Sequence, residues 1–167
     1  IFRVMGKDPA VALYTFFVAP LTSLNGLAEL LVKAAPLTLI GIGLALGFRA
    51  NVWNIGAEGQ YTMGALAGGG LALWFFDSHS PLLLPAMMVA GVLGGMAWAA
   101  IPALLRTRFN ASEILTSLML TYVAQQILIY LVTGPWKDPE GYGFPQSRLF
   151  SEWATLPILV PETRVHL

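Results

Sequence analysis

The chain has 167 residues, of which 56% are hydrophobic and only 11% are charged, whereas roughly a quarter of the residues in soluble domains are charged. Nine Lys and Arg residues balance nine Asp and Glu residues, so no net basic charge favours nucleic acid as a partner. The absence of cysteine excludes a disulfide framework and thiolate chemistry.

Long stretches without Asp, Glu, Lys or Arg indicate helices that cross a membrane. Three such runs contain 18, 28 and 23 residues, and they extend over 59–76, 78–105 and 114–136. Each is close to or longer than the roughly 18 to 20 apolar residues that a helix needs to cross a bilayer. We therefore expect an all-α integral membrane protein, a polytopic helix bundle in the lipid bilayer.

The first apolar run, residues 9–28, is open to two interpretations. It carries no charge over 20 positions, and Arg3 and Lys7 before it favour a cytoplasmic N-terminus followed by a true crossing. Two prolines and the turn signal Asn25-Gly26 instead favour a short helix that lies on the outer surface. Both interpretations leave the topology of the later helices unchanged.

About four membrane-spanning helices are predicted after this run. Their expected bounds are 29–48, 60–76, 82–105 and 112–134. Turn-forming residues at 77–81 separate the second span from the third, and a short basic link at 106–110 separates the third from the fourth. Asn110, with Glu113 three residues later, resembles a capping box that would begin the last span.

The arginines predict the orientation of the chain in the membrane. Arg49, Arg106 and Arg108 fall on one side if every span crosses, and the positive-inside rule makes that side cytoplasmic. The segments 1–28, 77–81 and 135–167 are then external. Lys137 and Arg148 weaken this asymmetry without reversing it.

Glycines at four-residue spacing predict close helix packing. In lipid there is little hydrophobic drive between helices, so small residues that let two backbones approach supply much of the packing. A dimerisation face is the alternative interpretation. The glycines assigned to helix packing are Gly43, Gly47, Gly64, Gly68, Gly91 and Gly95.

The last predicted span carries a stripe of polar side chains. Ser117, Thr121 and Gln125 are four residues apart, and Gln126 lies on the adjoining stripe. Amides in hydrocarbon need hydrogen-bond partners, so this face is expected to look into the bundle or a wet cavity. Hydrogen bonding between helices is one interpretation, and the lining of a transport path is the other.

The most polar stretch, NVWNIGAEGQ at residues 51–60, is also ambiguous. Asn51, Asn54 and Glu58 would share one helix face, but Gly56 and Gly59 favour a helix that breaks and restarts. Such breaks at membrane depth are tolerated where they line protein or water, and in transporters they commonly mark the substrate region. The alternative is an ordinary cytoplasmic turn.

Enzymatic chemistry finds little support in the sequence. The two histidines, His79 and His166, have no metal-ligand spacing, and neither a nucleophile elbow nor a phosphate-binding loop for ATP occurs. We therefore expect no enzyme, no cofactor and no metal. An ion channel is a further alternative, since Gly141-Tyr-Gly143 is similar to a potassium filter, although the Thr-Val lead and a pore helix are missing.

Three stretches in sequence order carry a resemblance to a known family. They are FRANVWNIGAEGQ at 48–60, RFNASEILTSLMLTYVAQQ at 108–126 and GPWKDPEGYGFPQS at 134–147. Together they resemble the permease subunits of bacterial ABC importers for branched-chain amino acids, simple sugars and nucleosides. The nucleoside and simple-sugar branch is the most similar, and the resemblance covers nearly the whole chain from Gly6 onward.

The resemblance implies a multi-pass permease in the bacterial inner membrane that moves a nucleoside or a sugar-like solute inward. It also implies three kinds of partner: a second permease subunit, cytoplasmic ATP-binding subunits and an external substrate-binding protein. Residues 1–167 would form the N-terminal half of the permease, with residues 6–27 as an outer-surface segment. An ion channel or another transporter outside the ABC class is the alternative. The residues expected to shape or gate the path are Asn51, Asn54, Glu58, Gln60, Gln125 and Gln126.

Overall fold

The computed structural model describes Gly6, residues 8–159 and Thr163. Helices dominate these residues, no β-strand forms within them, and an isolated antiparallel bridge pairs Lys137 with Ser147. The chain divides into two compact units, one made of residues 1–42 with 156–167 and the other of residues 43–155. The predicted all-helical class is confirmed.

In the first unit, the apolar run 9–28 is divided rather than continuous. Helix α1, Pro9–Leu13, continues as a π-helical turn over Tyr14–Val18 and a 3-10 turn over Ala19–Leu21. A bend at residues 22–23 follows. The turn predicted at Asn25-Gly26 is wrong, because both residues lie in the first turn of α2, where the Ser23 hydroxyl accepts a hydrogen bond from the Gly26 N–H at 3.0 Å.

Four long helices match the predicted spans to within five residues at each end. They are α2 (Leu24–Arg49), α3 (Ala57–Trp74), α4 (Leu83–Phe109) and α5 (Glu113–Thr133). Among the described residues, α2, α4 and α5 are long and apolar enough to cross a membrane. Helix α3 has 18 residues and three consecutive glycines, and its crossing stays a prediction.

The connection between α4 and α5 differs from its prediction. The basic link expected at 106–110 is wrong, because α4 remains helical through Phe109 and carries Arg106 in its last turn. Asn110 has a left-handed backbone with φ of 51°, and it ends α4 rather than beginning α5. Ser112 caps α5 instead, accepting a hydrogen bond from the Leu115 N–H at 3.5 Å. The capping box is therefore wrong, because asparagine also suits a left-handed helix end.

In the second unit, α3 and the first half of α4 pack through glycines. A Cβ placed on Gly64 would lie 2.8 Å from the carbonyl oxygen of Gly91, and one on Gly95 would lie 3.2 Å from that of Gln60. The two backbones therefore approach as closely as small residues allow. Since α3 begins only three residues before Gln60, it lies beside the first half of α4. The second half, residues 96–109, faces the residues that precede α3.

The segment after α5 folds back onto α3. A Cβ on Gly70 would lie 3.0 Å from the Trp136 ring, and one on Gly69 would lie 3.2 Å from the Phe150 ring. Ala154 joins Ala72 of α3 and Leu83 of α4 in a small buried cluster. The aromatic side chains of this segment thus cover the glycine-rich end of α3.

Candidate functional site

The polar stretch interrupts the helical bundle over residues 50–56, which we refer to as the break. Helix α2 ends at Arg49, and Asn51 has a left-handed φ of 55°. The N–H of Val52 donates to the Gly47 carbonyl at 2.9 Å, and the N–H of Asn51 donates to the Phe48 carbonyl at 3.0 Å. This pair of bonds is a Schellman motif, in which asparagine replaces the usual glycine. Asn51 thus ends the helix through its backbone, and its side chain is exposed.

The break runs along α5 and is held by it. The N–H of Trp53 donates to the Glu113 carboxylate at 2.9 Å, and the N–H of Ile55 donates to the Ser117 hydroxyl at 3.2 Å. A Cβ on Gly56 would lie 2.7 Å from the carbonyl oxygen of Ser117, so only glycine permits this approach. The polar stripe predicted on α5 therefore includes hydrogen bonds to the backbone of the break.

Glu113 joins three elements at the first turn of α5. It is 6% exposed, and besides the Trp53 N–H it forms an ion pair with Arg106 of α4. The Arg106 side chain is 48% exposed, so the pair lies at the edge of the bundle. The sequence interpretation took Glu113 for a capping residue and missed this role. Its position four residues before Ser117 was the available signal, because it places Glu113 on the same stripe.

Asn54 and Gln60 form a reciprocal amide pair across the end of the break. The Asn54 side-chain N–H donates to the Gln60 oxygen at 3.0 Å, and the Gln60 side-chain N–H donates to the Asn54 oxygen at 3.2 Å. The Asn54 oxygen also accepts from the Gly56 N–H at 2.9 Å. The pair therefore fixes the break to the first turn of α3.

A cavity of about 400 Å³ lies between the break, the second half of α4 and the start of α5. The amide pair and the Glu113–Arg106 ion pair both reach its wall. Because these polar groups bind one another, most of the open wall is carbon. The remaining lining residues are Val52, Trp53, Ala99, Pro102, Ala103, Thr107 and Ser117.

Glu58 and Gln125 contact each other further along α5 from its first turn. The Gln125 side-chain N–H donates to the Glu58 carboxylate at 3.3 Å, and Glu58 is exposed. Gln125 follows Glu113 by twelve residues of helix, which corresponds to about 18 Å of rise. The whole of α5, with 21 residues, is about 31 Å long. The contact therefore lies past the middle of a helix that is long and apolar enough to cross a membrane.

The other predicted residues lie apart from these contacts. Gln126 is exposed on α5, and a Cβ on Gly43 would meet nothing within 4 Å. A Cβ on Gly47 would lie 3.3 Å from the Val52 carbonyl oxygen, within the Schellman turn. In the part of the chain that the structure describes, no group of three His, Cys, Asp or Glu side chains is arranged to hold a metal ion.

A known protein family and several curated relatives match the sequence of this chain. The family described as branched-chain amino acid transport system / permease component matches residues 26–160. A glucose ABC transporter permease protein of Haloferax volcanii is 47% identical over 93% of this chain and 40% of its own length. A guanosine ABC transporter permease protein of Bacillus subtilis is 30% identical over 66% of this chain and 31% of its own length.

A nucleoside ABC transporter permease protein of Lactococcus lactis is 29% identical over 74% of this chain and 34% of its own length. The chain thus spans between about a third and two fifths of the length of these curated relatives. No solved structure matches it.

Proposed function

The chain belongs to the family of permease components of branched-chain amino acid transport systems, and on this premise we propose that it is part of the membrane subunit of an ATP-driven importer. Its solute is a sugar or a nucleoside, since the similar permeases of Haloferax volcanii, Bacillus subtilis and Lactococcus lactis are named for glucose, guanosine and nucleosides. It is a multi-pass protein of the cell membrane.

The observation that carries the proposal is the Glu58–Gln125 contact beyond the middle of α5. A charged side chain at the centre of a membrane helix costs about 2.5 to 3.5 kcal/mol on insertion scales, so an exposed carboxylate at this depth requires polar surroundings. Broken helices that line a water-filled path provide such surroundings. Glu58 and Gln125 therefore face the solute path, and Asn54 and Gln60 line its cavity nearer the arginine-rich end.

Movement of the solute depends on partners in this proposal. ATP is hydrolysed by separate cytoplasmic subunits, and their cycle rocks the helices of this subunit and of a second permease subunit between outward and inward access. An external binding protein delivers the solute. Neutral amide donors and acceptors such as Asn54, Gln60, Gln125 and Gln126 suit hydroxyl groups better than a charged amino acid.

The proposed topology places 1–167 in the N-terminal half of the permease. Arg49, Arg106 and Arg108 lie on the cytoplasmic side, because positive residues favour that side. The segments 77–81 and 135–167 are external. The cavity beside the break then lies towards the cytoplasmic side of the membrane, because Arg106 in the last turn of α4 lines it.

Reconstitution of the complete importer tests this function. The full-length permease, its ATP-binding subunits and its external binding protein are placed in liposomes, and the uptake of labelled glucose and guanosine is measured with and without ATP. Uptake of either solute that requires both ATP and the binding protein is the expected result. Ionic current through the permease in the absence of the ATP-binding subunits would support a channel and contradict the importer.

A further inference from the structure

The amide pair of Asn54 and Gln60 carries an inference that deepens the proposed function and rests on it. We propose that this pair binds two adjacent hydroxyl groups of the solute in the cavity of about 400 Å³ beneath the break. Ribonucleosides and glucose, the solutes of the proposed function, both contain such a vicinal diol. The site thus recognises the part that these solutes share.

The hydrogen-bonding capacity of the two amides fits a diol. Each primary amide carries two N–H donors and one oxygen acceptor, and each hydroxyl both donates and accepts. The Asn54 oxygen already accepts from Gln60 and from the Gly56 N–H, which leaves one N–H on each amide and one lone pair on the Gln60 oxygen. Two neighbouring hydroxyls can use these groups. If the pair opens, hydrogen bonds to the hydroxyls of the solute replace the hydrogen bonds between the two amides. The net change in free energy from this exchange is therefore small.

The rest of the cavity selects a neutral ring. Its volume lies within the roughly 300 to 1,000 Å³ that is typical of small-molecule sites. Trp53, Ala99 and Pro102 supply carbon surface for the apolar face of a sugar ring. The charged groups of its wall, Arg106 and Glu113, already bind one another, so an ionic solute gains no free counter-charge from these lining residues. A wholly apolar solute gains nothing from the amides.

The test compares substrates with and without the diol in the variant Gln60→Met. Gln60 is the better position for the substitution, because the Asn54 oxygen also accepts a hydrogen bond from the Gly56 N–H. Loss of the Asn54 side chain would therefore disturb the break. Uptake by the complete importer in liposomes is measured for guanosine and 2′-deoxyguanosine. The readout is the ratio of their kcat/KM values. Because the external binding protein is the same throughout, its own discrimination cancels when the ratio of the variant is divided by that of the wild type.

The expected result is a loss of discrimination against the deoxy substrate. Loss of a hydrogen bond of ordinary strength corresponds to roughly a 2- to 12-fold change, so the ratio should fall by this factor in Gln60→Met. For an importer that takes only glucose, the 2-, 3- and 4-deoxy sugars replace the nucleosides. Two neighbouring positions should then be sensitive in the wild type and insensitive in the variant.

Two further variants separate recognition from structure. Exchange of the pair, Asn54→Gln with Gln60→Asn, keeps both amides and should restore much of the discrimination, whereas Gln60→Asn alone should lose it even if Gln60→Met does not assemble. Thr116→Val is the control, because the Thr116 hydroxyl donates to the carbonyls of Ser112 and Glu113 at the start of α5 and does not line the cavity. Equal losses for both substrates would overturn the diol site. Absence of ATP-driven uptake in the wild type would instead overturn the proposed function.

Discussion

The Glu113 carboxylate accepts a 2.9 Å hydrogen bond from the backbone N–H of Trp53, sixty residues earlier in the chain. Its other oxygen pairs with Arg106 of α4. One buried acidic side chain therefore ties the break to the two helices that bound the cavity. A non-helical backbone segment inside a membrane bundle needs such partners, because lipid offers none for its N–H groups.

Removing this acceptor should destabilise the protein. Glu113→Ala leaves the Trp53 N–H, whose hydrogen bond is partly buried, without this partner, and the cost is at most that of a fully buried group, about 1 to 3 kcal/mol. The loss of the ion pair adds less than for a fully buried pair, since Arg106 is 48% exposed and can turn to water. Glu113→Gln keeps an acceptor and should cost about half as much. Thermal unfolding of the purified full-length protein in detergent measures both.

The control is Glu140→Gln, because Glu140 is exposed and surface substitutions usually change stability by less than about 0.5 kcal/mol. A melting temperature of Glu113→Ala equal to that of Glu140→Gln would contradict the structural role of Glu113.

Asn51 provides a second prediction, because the structure gives it a backbone role. Its φ of 55° lies in the left-handed region, which costs most residues roughly 1 to 2 kcal/mol and costs glycine almost nothing. Asn51→Gly should therefore retain both stability and uptake, whereas Asn51→Val should lower the melting temperature. If Asn51→Gly abolished uptake while the protein stayed folded, Asn51 would line the path as the sequence first suggested.

Asn51 and Asn110 show which features of the fold could be predicted from the sequence and which could not. Hydrophobic runs predicted all four long helices, because length and apolarity alone decide whether a helix suits a membrane. Both asparagines were given other roles, although each adopts a left-handed backbone that ends a helix. Asparagine suits a helix start, a left-handed helix end and a polar path equally well. Only the neighbouring backbone distinguishes these possibilities.

The site could be predicted in part for a similar reason. The four-residue spacing of Ser117, Thr121 and Gln125 places them on one face, as the sequence indicated. The pairing of Asn54 with Gln60 required the break to turn back onto α3, and the pairing of Glu113 with Trp53 required it to follow α5. Helical periodicity gives no information about the path that a non-helical segment takes.

The glycine contacts between α3 and α4 give a prediction with a matched control. A Cβ on Gly64 would lie 2.8 Å from a backbone oxygen of Gly91, whereas a Cβ on Gly43 would meet nothing within 4 Å. Gly64→Ala should destabilise the protein by about 1 to 3 kcal/mol through overpacking. Gly43→Ala should be neutral or stabilising by up to about 1 kcal/mol, because alanine is the better helix former. Equal melting temperatures for the two variants would contradict the close packing.

The proposed orientation predicts which residues reagents reach from each side. The 167 residues contain no cysteine, so single cysteines can be introduced into a cysteine-free form of the full-length protein. Tyr142 is 100% exposed in the segment that is proposed to be external, and Phe109 is 77% exposed beside the arginines. In intact cells an impermeant thiol reagent should label Tyr142→Cys, and it should label Phe109→Cys only after lysis. The reverse labelling pattern would contradict the proposed orientation and support the opposite one.

The contact between Glu58 and Gln125 predicts coupled effects on transport. If the two side chains act together in the solute path, Glu58→Gln and Gln125→Leu should each reduce ATP-driven uptake about tenfold, and the double variant should be little worse than either, since directly interacting residues are not additive. Glu58→Asp keeps the charge and should retain part of the activity. Co-purification of the partner subunits establishes that each variant still assembles. Losses that multiply in the double variant would show that the two residues act independently, and uptake at the wild-type rate in Glu58→Gln would remove Glu58 from the path.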